Sequence, residues 1–100
     1  MAGATFSRFL GFDVISGEDV SVGAASTQSS TSPVGARTAI LTARTDLRYA
    51  VGTVVGAPTA VATGPLLLAG SSIPLSVREG SRIAVIQDSA AGSSNITWCR

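Results

Sequence analysis

The 100-residue sequence contains no histidine and no lysine, one cysteine and five aromatic residues, and each shortage removes a class of function. Without histidine there is no imidazole base and no Ser-His or Cys-His nucleophilic pair. Cys99 has no second cysteine for an intramolecular disulfide and no histidine to share a metal with, so beside Arg100 it reads as a bystander rather than a ligand or nucleophile. The acids Asp13, Glu18, Asp19, Asp46, Glu79 and Asp88 are scattered at turns, and Glu18 and Asp19, being adjacent, face opposite ways in an extended chain. Glycine-containing pieces such as Val54-Val55-Gly56 lack the Gly-Lys-Ser/Thr ending of a phosphate loop. The expectation is a protein that is not an enzyme and carries no catalytic residue, metal or cofactor.

Long apolar runs are also missing. Pro65 to Ala69 is far short of the ~20 residues that cross a bilayer as a helix. Residues Met1 to Ile15 have Arg8 as their only basic residue and are interrupted by Asp13, so they do not form an export signal, and the chain is read as starting near Met1 with no membrane partner. Asn95-Ile96-Thr97 matches a glycosylation acceptor, but without export it is better read as part of a strand. Seven basic residues against six acids leave a net charge of +1, which is not the profile of a nucleic-acid binder. All seven are arginine, whose planar, bidentate group suits protein contacts; a genomic bias towards G and C accounts for the same choice.

What is present is β-pattern. Ile83 to Ile86 form a short run rich in β-branched residues, Asp88 to Ser94 supply turn formers, and Ile96 and Trp98 then alternate with Asn95 and Thr97, which reads as a hairpin. Because Ile83 to Ile86 are apolar on both faces, the strand needs cover on both, and Ile83, Val85, Ile86 and Trp98 are expected core positions. Upstream, Ala39, Leu41 and Ala43 alternate with Thr38, Ile40 and Thr42, and Leu47, Tyr49 and Val51 with Asp46, Arg48 and Ala50. Thr59 to Thr63 and Leu66 to Leu68 are short candidates, and Ile73, Leu75 and Val77 alternate across Pro74, which confines their strand to an edge. Short strands at short intervals with no helix-length segment predict an all-β fold, a small β-sandwich or jelly-roll-like domain with an extended N-terminal arm.

Composition divides this chain near Pro33. Phe6, Phe9 and Phe12 crowd the start, Val20 and Val22 could extend a strand, and GAASTQSSTSPVG at 23–35 has the small, polar profile of a flexible connector. Residues 1–35 are therefore expected as arm and linker and 36–100 as the sandwich, with docking of Phe6 to Ile15 as a first strand the plain alternative. A β-domain of about 65 residues without disulfide or metal needs help, so self-association or docking on a larger partner is expected. Phe6, Phe9 and Phe12 are candidate interface residues on the arm. Arg78 and Arg82, flanking Glu79 at a turn, are candidates for contact with acidic groups of a partner, with an ordinary solvated turn as the alternative.

The block from Thr45 to Trp98 carries a resemblance. Its Thr-Asp-Leu-Arg start, its Gly56-Ala57-Pro58-Thr59-Ala60 turn, Pro65 to Gly70 and above all IAVIQDSAAG followed by Ile96-Thr97 resemble small β-rich virion structural proteins of tailed bacteriophages. About half of the chain is covered, by short and mostly structural motifs. The resemblance implies a capsid decoration or cement protein on the virion surface, made in the host cytoplasm, with the major capsid protein as partner and self-association, a trimer among its forms. A head-fibre or tail-associated module facing the host or a glycan is the alternative it leaves open.

Overall fold

The computed structural model describes residues 8–9, 12–52 and 58–100, with the side chains of Arg8, Phe9 and Phe12 outside that description. Among the described residues there is no helix, and two antiparallel sheets form a small compact β-sandwich. The strands are β1 (Arg8–Phe9), β2 (Phe12–Val22), β3 (Thr27–Gln28), β4 (Thr38–Ala43), β5 (Leu47–Val51), β6 (Leu66–Leu67), β7 (Ser72–Ser76), β8 (Ile83–Gln87) and β9 (Gly92–Cys99). One sheet has the order β1-β2-β9-β4-β7 and the other β3-β8-β5-β6.

The core is what period-two alternation dictates. Ala39, Leu41 and Ala43 of β4 and Ile96 and Trp98 of β9 meet Leu47 of β5 and Ile83 and Val85 of β8, all buried in one cluster. Burying each large aliphatic side chain stabilises the fold by about 1.5–3 kcal/mol. Tyr49, Ile73 and Leu75 pack on its rim, and the Pro74-bearing β7 lies at a sheet edge as expected. Val51 is exposed rather than inward, and residues 59–63 form no strand.

Three further expectations are corrected. Ile83–Gln87 and Gly92–Cys99 are not a hairpin: β8 pairs with β3 and β5, β9 with β2 and β4, so residues 88–91 carry the chain from one layer to the other. Both strands turn apolar residues into the same core from opposite sides, which pairing edge to edge would not allow. Ile86 faces away from the core and is only half-buried, whereas Ile83 and Val85 are fully enclosed.

The third correction concerns residues 12–35, expected as arm and linker. β2 makes eight register pairs with β9, from Val14↔Cys99 to Val22↔Gly92 with a bulge between Val14 and Ser16, and it contributes Val20 and Val22 to the core. The serine-rich segment after it lies along β8. Ser29 N–H donates to the Ile83 carbonyl at 2.8 Å while the Ser29 hydroxyl accepts from Ile83 N–H at 3.0 Å, so a side chain completes the ladder. Small polar residues that read as a tether are here an edge whose hydroxyls stand in for backbone groups. The sandwich thus draws on far more than 65 residues, which weakens the size-based need for a partner. Phe6 lies outside the described residues, as do the Phe9 and Phe12 side chains; the Phe9 and Phe12 backbones are register partners in the β1–β2 pairing.

Candidate functional site

Strand direction sorts the charged residues to two ends of the sandwich. Val14, Thr38, Ser76 and Cys99 are adjacent in the first sheet, and the connection from β7 to β8 leaves from that same end, as does the one from β3 to β4. Arg37, Arg78, Arg82 and Arg100 therefore share one end, four of the chain's seven arginines, with Asp13 and Glu79. Towards the opposite end Arg44 pairs with Asp19 and Arg48 with Asp88, and Asp46 lies in the turn between β4 and β5.

The arginine-bearing end is built on two similar turns. In residues 33–36 the Ala36 N–H donates to the Pro33 carbonyl at 3.1 Å, and in residues 78–81 the Ser81 N–H donates to the Arg78 carbonyl at 3.0 Å. Gly35 and Gly80 occupy the third position of each with φ of 85° and 84°, the left-handed value that a type II turn requires and that a side chain disfavours. Cross-ties hold the turns together. The Ser32 hydroxyl donates to the Arg78 carbonyl at 2.6 Å and accepts from Ser81 N–H at 3.1 Å, and Glu79 Oε1 accepts from Gly35 N–H at 3.1 Å. Arg37 is held between strands, its N–H donating to the Cys99 carbonyl at 2.8 Å and its carbonyl accepting from Val77 N–H at 2.9 Å.

On this frame the side chains of Arg37, Arg78, Arg82 and Arg100 are exposed. Gly35, Ala36, Arg37, Val77, Arg78 and Glu79 line an open groove of about 310 Å³. Arg82 Nη1 donates to Gln28 Oε1 at 3.3 Å, whereas among the described residues the Arg37 and Arg78 side chains have neither hydrogen-bond nor ion-pair partner. Arg78 and Arg82, expected at a turn, are brought to the same end; Arg37 and Arg100 were missed because their neighbours in space are distant in sequence.

The acids elsewhere are already engaged. Asp19 Oδ1 accepts from Asn95 Nδ2 at 3.0 Å and lies 3.4 Å from Arg44 Nη2, and these contacts hold its carboxyl below the ordinary value. Asp88 pairs with Arg48 at 3.1 Å, and Asp46 Oδ1 accepts from Ala69 N–H at 2.8 Å. Glu18 takes the Trp98 indole N–H at 3.2 Å and both donors of Ser30. Burial pushes the Cys99 thiol above its usual range, with Asp13 adding to the rise, which suits a packing residue rather than a nucleophile. No group of three potential metal ligands exists among the described residues, and no helix there is long and apolar enough to cross a membrane. Comparison with known protein families, with characterised proteins and with solved structures finds no match to this chain.

Proposed function

We propose that the chain is a structural virion protein of a tailed bacteriophage, a capsid decoration or cement protein that binds the major capsid protein shell and stabilises it at the virion surface. The observation that carries this reading is the end with two cross-tied turns presenting Arg37 and Arg78, whose side chains have no partner among the described residues: a rigid base with such guanidinium groups is suited to holding a protein surface. The resemblance of the block from Thr45 to Trp98 supports it. Exposed Val34, Val61, Leu66 and Leu68 supply apolar contact area for the shell or for a second copy of the chain, a trimer being one form. A glycan-facing module gains no support from the aromatics, since Trp98 is buried and Tyr49 packs against the core, so neither ring offers a stacking platform.

Quantitative protein analysis of purified particles tests the proposal. A cement protein is expected at a copy number commensurate with the shell subunit, and shells lacking it are expected to rupture at lower temperature. A few copies per particle, or absence from the head, would overturn the reading.

A further inference from the structure

We propose that the arginine-bearing end is a receptor for carboxylate groups, in which Arg37 and Arg78 close on an acidic segment of a partner protein seated in the groove between them. The proposal deepens the virion reading and rests on it only for the partner's identity.

Three observations carry it. Arg37 and Arg78 line the same groove and have no side-chain partner among the described residues, while Glu79, the acid beside them, is committed to Gly35 N–H. The floor is fixed by β-ladder bonds at Arg37 and by the Ser32–Arg78–Ser81 cluster, so little backbone order is lost on binding. Guanidinium is the cation that pairs two-pronged with carboxylate, and the buried Ala36 and Val77 give the groove a dry wall beside it.

The occupant follows from charge. A second copy stacked end to end would offer Asp19, Asp46 and Asp88, each already bonded to Asn95 and Arg44, to Ala69 or to Arg48. Nucleic acid fits poorly, because a phosphate backbone is held by a run of cations, whereas the groove presents two guanidinium groups in a chain of net charge +1. Acidic side chains of another protein remain the matching chemistry.

The test uses the full chain and a fluorescent peptide rich in Glu and Asp, with its Gln/Asn counterpart and a single-stranded oligonucleotide alongside. The acidic peptide is expected to bind in a salt-weakened manner, and Arg37→Gln with Arg78→Gln to weaken it by about tenfold or more, while Arg44→Gln at the opposite end leaves it unchanged. Arg37→Lys with Arg78→Lys, which keeps the charge and lowers the risk of misfolding, is expected to weaken binding as well. Equal binding of the neutral peptide, tighter binding of the oligonucleotide, or undiminished binding by both double variants overturns the proposal. Binding to purified shells separates the two readings. Shells that ignore the wild-type chain, with peptide binding intact, sink the virion assignment alone, and shells that hold the Gln double variant as firmly as wild type sink the carboxylate receptor alone.

Discussion

Ser29→Ala is the sharpest probe of how this sandwich closes. The Ser29 side chain is buried, accepts from Ile83 N–H at 3.0 Å and donates to the Ser30 carbonyl at 2.8 Å. Alanine removes no apolar contact of consequence but leaves Ile83 N–H without its acceptor, beside a fully buried side chain. An unsatisfied buried N–H costs about 1–3 kcal/mol. Taking about 2 kcal/mol against a total stability of about 5–15 kcal/mol, the melting temperature should fall by about 8–16 °C at about 4–8 °C per kcal/mol for a domain of this size. Ser32→Ala is expected to cost less, because Ser81 N–H keeps its second acceptor at the Arg78 carbonyl. Thr31→Ala, on an exposed neighbour, is the control and should stay within about 0.5 kcal/mol. Thermal and urea unfolding followed by circular dichroism measure all three. If Ser29→Ala melts with the control, the serine segment does not complete the β8 edge and its assignment to the sandwich is wrong.

Two further outcomes are expected. Gly92→Ala should destabilise by about 1–3 kcal/mol, since a Cβ there would stand 2.7 Å from Thr45 Cβ and Cγ2, whereas Gly23→Ala, with nothing within 4 Å, should be close to neutral; equal melting temperatures would refute the close approach at the β8–β9 crossing. Asp19 has its pKa lowered from 3.8 by Asn95 and then Arg44, so the unfolded chain binds that proton more readily and stability rises with pH; the advantage of wild type over Asp19→Asn should be present above pH 3.8 and vanish as pH falls through the lower folded value, and a gap that persists in stronger acid would contradict it.

Where a single residue face decides the outcome, the fold was legible. The alternation of Ala39, Leu41 and Ala43, the inward Leu47 and Tyr49, and the edge position imposed by Pro74 all follow from period-two geometry and from a missing N–H. What misled was composition. A run of Ser, Thr, Gly and Ala is the signature of a tether, and nothing local separates it from an edge segment whose hydroxyls bond to a strand 54 residues away, as Ser29 does to Ile83. The same limit applies to the stretch from Ile83 to Trp98, since two apolar strands joined by a short turn form a hairpin or cross between layers according to which partners each has found elsewhere. Val20 and Val22 supply that missing term, because a long β2 occupies the edge of β9 that β8 would otherwise need.

The candidate site was half legible for the same reason. Arg78 and Arg82 flank a glycine turn and could be placed at a surface from sequence, but Arg37 and Arg100 join them only because antiparallel strands return the chain to the same end of the sandwich at 37, 78, 82 and 100. A surface built this way has no contiguous motif: its spacing is set by strand length and by which layer each connection bridges. The two glycine turns add the part that local chemistry does specify, since Gly35 and Gly80 fix the backbone that carries the neighbouring arginines. Replacing either glycine would therefore displace a guanidinium as well as strain a turn, so the geometry of the groove and the stability of the loop are coupled at the same residues.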